Sequence, residues 1–206
     1  MTSCRSGLAT EWLAAAASQY RGDRINQGSR GRKVLRTATD GDVDIIRILR
    51  NQEPNREVSI NSHEISADEH AGWWAKTRVD PTRRVLIYER EGVTAGVVNF
   101  FDLELDAEPR TGAWGFFLDT VGLAERGETL PAWIEVMKDA TGYAFDELGL
   151  AELHGEVLEH NAVVRQMNRR FRFVEGAPET RSTEGREITV LPISLHKDNR
   201  RKPKGN

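Results

Sequence analysis

The sequence predicts an α/β fold built on a mixed sheet. Three observations carry this. Short runs of β-branched and aromatic residues alternate with segments of helical periodicity. Two such runs, Val85 to Tyr88 and Val93 to Phe101, flank Glu89-Arg90-Glu91-Gly92, a hairpin signal. A long amphipathic segment opens at Pro131 and closes at Gly149.

Val34 to Arg36 reads as a short strand. Asp40 or Asp42 can cap a helix whose apolar positions Val43, Ile46 and Leu49 are spaced by three, and Pro54 is expected to end it. A second helix starts near Ser66, with Asp68 and Glu69 in its first turn, and carries Trp73 and Trp74. After the hairpin, Gly112 to Asp119 is a strand and Thr120 to Leu130 a loop. The helix from Pro131 to Leu148 presents Ile134, Met137, Ala140, Tyr143 or Ala144, and Leu148 inward. Leu153 to Leu158 is a strand, His160 to Arg170 a helix, and Phe171 to Val174 and Glu187 to Pro192 the last strands.

The 206 residues suit one domain, residues 34–195, between a flexible extension (1–33) and a disordered basic tail (196–206). The net charge of −3 conceals a split: residues 37–195 hold 17 Lys/Arg against 29 Asp/Glu, a net of −12. That disfavours nucleic acid, which needs a basic face, and favours a cationic partner such as an amine. Cys4, the lone cysteine, allows no internal disulfide, which fits a reducing compartment. The apolar run Trp12 to Ala17 is too short to span a membrane, and Glu11 interrupts any secretory signal. A cytoplasmic protein, monomer or homodimer, without membrane association is expected. The chain shows no metal-ligand spacing, no Walker loop and no supportable Ser-His-Asp order.

The element order resembles that of the GNAT (GCN5-related N-acetyltransferase) superfamily. Tyr143-Ala144-Phe145-Asp146-Glu147-Leu148-Gly149-Leu150, then Glu156-Val157-Leu158-Glu159-His160-Asn161, resembles the family's helix, Gly, strand, then Asn at the next helix. Phe171-Arg172-Phe173-Val174-Glu175-Gly176 is similar to the terminal Gly-Phe-x-x-x-Gly, with Arg172 at the first Gly. Leu35 to Asp40, Leu49-Arg50-Asn51 and Glu64 to His70 are most similar to the amino-sugar N-acetyltransferases of the pseudaminic-acid pathway.

The resemblance implies a fold with splayed central strands, an acetyl-CoA co-substrate and a small-molecule amine acceptor, which the subgroup narrows to an amino sugar. The strand ending Phe117-Leu118-Asp119 would part from that at Leu153 to Leu158, and the amide of Phe117 or Leu118 would stabilise the oxyanion. The pyrophosphate loop would be Arg126-Gly127-Glu128-Thr129-Leu130, with Asn161 also on the CoA side; Thr129 and Pro131 stand at the family's Gly slots. With Arg126 at the Arg slot this is one alignment; aligning backward from Tyr143 instead puts Glu128 at the Arg slot and Pro131 and Trp133 at the Gly slots. Asn168 stands where a thiolate-protonating Tyr is usual, with His154, His160 and Tyr143 as substitutes. Glu156 is the first choice of base. Arg50, Asn51 and one of the two adjacent tryptophans, assigned as Trp74, would face the acceptor. The altered loop and Asn168 also fit a catalytically weak binding or regulatory protein of this fold.

Overall fold

A computed structural model describes residues 35–200; the expected N-terminal extension with Cys4, and residues 201–206, lie outside the described residues. Strand β1 (Leu35–Thr37) leads through a 3-10 turn, Asp40–Asp42, into helix α1 (Val43–Arg50). Thr39 heads that turn, and Asp42 stands at the N-cap position of α1, although its side chain bonds backward and makes no cap hydrogen bond to α1. The Asp42 carboxylate accepts from the Thr39 amide at 2.8 Å and from the Arg36 guanidinium at 2.7 Å. Arg36 holds this carboxyl well below the usual carboxylate range. Pro54 does not end α1. It lies in the first turn of α2 (Glu53–Glu57), where its missing N–H has no helical partner. Helix α3 (Ala67–Thr77) begins at Ser66, whose hydroxyl accepts from the Glu69 amide at 3.2 Å.

Strands β2 (Arg84–Arg90) and β3 (Val93–Glu104) form the expected hairpin, turning on Glu91 and Gly92 at φ 53° and 83°. Strand β4 (Thr111–Leu118) continues the meander. The expected loop that follows is instead a short helix, α4 (Thr120–Glu125), capped by the Asp119 carboxylate. Helix α5 (Thr129–Gly142) starts two residues before Pro131 and passes into a π-turn, Tyr143–Glu147. Then come β5 (Glu152–Leu158), α6 (Ala162–Arg170), β6 (Val174–Glu175), β7 (Glu179–Thr183) and β8 (Arg186–His196). Phe171 to Phe173 form a turn, not a strand. Arg172 adopts φ 69°, so it takes the left-handed backbone usual for glycine in that slot.

The sheet order is β1-β2-β3-β4-β5-β8-β6, with β7 also pairing β8. β4 and β5 are parallel; the other pairs are antiparallel. Each face carries helices. On one, Ile46, Leu49 and Trp74 pack on Val85, Ile87 and Val97. On the other, Val136, Met137, Ala140 and Met167 cover Leu86, Tyr88, Phe100, Leu153 and Leu195. β2 therefore reads as an unbroken apolar run, because alternate residues enter two cores. Burying each such side chain contributes about 1.5–3 kcal/mol.

β8 reaches His196, past the expected end at Pro192. Lys197–Asn199 form a 3-10 turn, and Arg200 pairs with Asp146 at 2.7 Å. Residues 196–200 are thus built onto the domain where a disordered tail was expected: the main chain at His196 still has a partner, Glu152 on β5. No helix among the described residues is long and apolar enough to cross a membrane.

Gly96 on β3 sits opposite Leu118, and a Cβ there would lie 2.7 Å from the Phe117 carbonyl oxygen. Gly96→Ala is expected to cost about 1–3 kcal/mol by overpacking, read as a lower urea midpoint at unchanged slope. Gly72→Ala, facing open space on α3, should leave the midpoint unchanged or raise it.

Candidate active site

The site starts from a break in the sheet. β4 pairs with β5 over Thr111–Ala113 against Glu152–His154, and no further. Both strands continue, β4 to Leu118 along β3 and β5 to Leu158 along β8. A V-shaped opening results between Trp114–Leu118 and Gly155–Leu158. Backbone parity shows which groups face it. The Asp119 amide bonds the Ala95 carbonyl of β3 at 2.8 Å, so Phe117, two residues earlier, also points toward β3. Trp114, Phe116 and Leu118 point the other way. The amide exposed to the opening is therefore that of Leu118, not Phe117.

Two amides from α2 and its approach hold the end of β4 away from β5. Buried Asn55 donates through Nδ2 to the Leu118 carbonyl at 2.8 Å and to that of Leu49 at 2.7 Å. Gln52 accepts from the Thr120 amide and hydroxyl at 2.8 and 2.7 Å and donates to Asp119 at 2.8 Å. Sequence reasoning named neither residue; an Asn and a Gln near a proline carry no signal of what they will bond.

The opening holds a cavity of about 400 Å³, lined by Trp114 to Leu118, Thr129, Trp133, Glu156, Asn161 and Asn168, among others. Two buried donors on its wall, Trp133 Nε1 and Asn168 Nδ2, have no partner among the described residues. Such groups are costly unless something accepts from them. The start of α5 lies beside them. Ala132 begins its ladder by bonding to Glu128, so the amides of Thr129 and Leu130 lack a helical partner. Arg90 and Arg126 reach Glu128 at 3.4 and 3.2 Å, and Arg90 also pairs with Glu135 at 2.6 Å. Side-chain charge there is balanced, leaving the amides and helix dipole to attract an anion.

A second cavity, about 360 Å³, lies between α1, α3 and the sheet. Its wall includes Arg50, His63, Glu69, His70, Trp73, Arg83 and Asn99. Phe117 lines both cavities, so they meet at the splayed end of β4. His70 is buried, and burial together with Arg47 lowers its pKa below the ordinary imidazole range. Burial and then nearby Arg56 lower that of Arg50. His63 is held by Glu184 at 2.5 Å and Glu69 at 2.9 Å, which raise its pKa in that order. Glu184 also accepts from the Ser62 amide at 3.1 Å, tying the segment before α3 to the β7–β8 hairpin.

The structure brings Phe117, Leu118, Thr129, Glu156, Asn161 and Asn168 together at the first cavity and Arg50 at the second. Several expected residues, Glu156 among them, have different duties. Glu156 is ion-paired with Arg181, so its carboxylate is not a free base. His154 lies at the zipped end of β5, opposite Ala113, with Glu152 at 3.8 Å, and lines neither cavity. Asp119 caps α4. Gly127, at φ 68°, terminates α4: its amide bonds Ala124 and that of Glu128 bonds Leu123, so the expected loop glycine is a helix stop. Arg126 is that helix's C-cap and pairs with Glu128, and Leu130 packs on the core. Asn51 exchanges two bonds with the Ile65 backbone, at 2.8 and 2.9 Å, so it fastens a loop. Trp74 is in the core and donates to Asp40 at 2.8 Å; Trp73 is the tryptophan that faces a cavity. Tyr143 tilts against Phe100 at 5.4 Å and lines neither cavity.

Asn55→Leu leaves the Leu118 carbonyl without its donor and is expected to cost about 1–3 kcal/mol in urea unfolding. The His63 tether should be complete below the ordinary imidazole pKa and lost as pH rises through the raised value. Glu184→Gln should move the His63 midpoint, followed by NMR, down toward that of an ordinary histidine.

No protein-family profile and no curated protein sequence matches this chain. Solved structures do. Spermidine N-acetyltransferase from Vibrio cholerae, in complex with CoA and spermine, is 19% identical at TM-score 0.65, over 80% of this chain and 95% of that one. A candidate phosphinothricin N-acetyltransferase is 16% identical at TM-score 0.62, over 79% and 96%. The parted parallel strands, the helix start beside them and these likenesses agree: the chain has the GNAT fold.

Proposed function

We propose that the chain is an acyl-CoA-dependent N-acyltransferase (acetyl-CoA the donor) that acts on the primary amine of a small molecule in the cytoplasm, as a monomer or homodimer. The observation that carries this reading is the unpaired edge of β4 facing a cavity with orphan donors. That edge suits the pantetheine arm, whose amides can bond to it as an added strand would. Thr129 and Leu130 at the start of α5 suit the pyrophosphate. The Leu118 amide is aimed to receive the negative charge that develops on the thioester oxygen. The spermidine enzyme similar in fold binds CoA and spermine, which supports both ligand classes here.

The amine enters through the second cavity, past Phe117. Its nitrogen bonds to the acyl carbon, the carbon–sulfur bond breaks, and thiolate leaves. His70, held neutral by burial, takes the amine's proton directly or through water. Asn168 offers an N–H to the departing sulfur in place of an acid, and thiolate leaves without protonation. The pseudaminic-acid-type resemblance makes an amino sugar the first acceptor to try.

A second reading, a binding protein of the same fold, draws on the Arg126–Glu128 pair at the helix start, where a phosphate would have to compete with a carboxylate. Thermal unfolding with acetyl-CoA and with CoA, beside a thiol-release assay over an amine panel, separates the two. Ligand at a hundredfold excess over Kd should stabilise the fold by about 2.7 kcal/mol. Release of thiol only with amine present supports the transferase; stabilisation without turnover supports the binding protein; no stabilisation refutes both. Trp133→Phe should leave the free protein as stable or more so, since an unpartnered N–H is gone, while weakening the acetyl-CoA shift.

A further inference from the structure

The acceptor cavity has a charge pattern at odds with the rest of the domain. Residues 37–195 carry a net charge of −12, yet the titratable side chains lining this cavity are Arg50, Arg83, His63, His70 and a single carboxylate, Glu69. That carboxylate is already occupied, 2.9 Å from His63. Arg83 is answered by Asp80 at 3.4 Å and lies over the Phe101 ring. Arg50 is not answered. Its Nη2 donates to the Asn61 carbonyl at 2.6 Å, its buried Nη1 has no partner, and among the described residues it forms no salt bridge. A half-buried cation near Arg56, with Glu184 and Glu69 close enough to act through space but neither in contact, is an unfavourable arrangement that a ligand anion relieves. The same wall holds the opposite kind of orphan. The buried Asn99 Oδ1 accepts from nothing, and His70 Nδ1 has no partner either. The remaining wall is apolar and aromatic: Ile46, Ile65, Trp73, Phe100, Phe101 and Phe117.

We propose that the acceptor is an amine that also bears an anionic group, a carboxylate or a phosphate, which pairs with Arg50 while its amine faces Asn99 and His70. This rests on the acyltransferase reading and narrows it. The guanidinium fork matches either anion with two parallel N–H donors. Polyamines are the wrong class for this cavity. A second ammonium would meet Arg50, and Glu69 would have to release His63 to receive it.

The test is calorimetric titration of the full chain saturated with CoA. Tryptophan against tryptamine isolates a carboxylate, glucosamine 6-phosphate against glucosamine isolates a phosphate, and spermidine is the polycation. The anionic member of at least one pair is expected to bind about tenfold or more tightly than its partner, the size of one charged hydrogen-bonded contact, and the pair that shows the gap identifies the anion. Arg50→Met should abolish that gap while the CoA-induced rise in melting temperature persists, which shows a folded donor site. Arg50→Lys, keeping the charge without the fork, should retain part of it. Equal affinities within both pairs, tightest binding by spermidine, no binding by any probe at millimolar concentration, or a gap unchanged in Arg50→Met overturns the proposal. If CoA does not stabilise the chain, the acyltransferase reading fails, and the same titrations without CoA still decide the anion.

Discussion

The parting of β4 from β5 is the constraint from which the site follows. Two parallel strands already in register for three residues would ordinarily continue to pair. Here the far end of β4 is claimed by other donors and acceptors. Asn55 takes the Leu118 carbonyl, and Gln52 takes Asp119 and Thr120. β5 meanwhile keeps its full ladder with β8. The backbone groups of β4 that face the gap are therefore left as an edge inside the molecule. An internal edge without a partner is unfavourable for a free fold and favourable for one that takes an extended ligand.

The two cavities meet at that edge, and one segment shapes both. Val58, Ser59 and Ile60 line the first cavity; Asn61, His63 and Ile65 line the second. This segment has little regular structure of its own. Asn51 fastens it to α1, and Glu184 fastens it to the β7–β8 hairpin. The electrostatics of the two sides differ. Near the start of α5, arginine and glutamate charges balance and leave backbone amides exposed. Around the second cavity Arg50 has no carboxylate in contact among the described residues, and burial lowers the pKa of His70.

Much of the fold was legible because local chemistry and global need agreed. Ser66 capped α3, and Glu91-Gly92 turned the first hairpin. The same Glu-Gly pair recurs at Glu184 and Gly185, with φ of 51° and 74°, and makes the β7–β8 hairpin that sequence reasoning missed. It was missed because β7 is polar and exposed along most of its length, so no apolar alternation marks it. Pro54 and Gly127 misled for a common reason. Each residue marks a boundary, but whether it ends one helix or starts another depends on the chain beyond it.

The sequence by itself determined most of the strands, the first hairpin, and the long helix closed near Gly149, because periodicity and turn residues act over a few positions; the resemblance to the GNAT superfamily rested on that order and on the motifs from Tyr143 to Gly176. The same resemblance implied that Leu118, Thr129, Asn161 and Asn168 belong to one site, and all four line the first cavity. Only the tertiary structure decided what each polar side chain does. Glu156 was bound by Arg181 from another strand, Asn51 by a loop, Trp74 by Asp40, while His70, Asn99 and Trp133 were left with ring or amide atoms unpaired. Hydrogen-bond partners lie tens of residues away in the chain, so their assignment exists only once the sheet has been assembled.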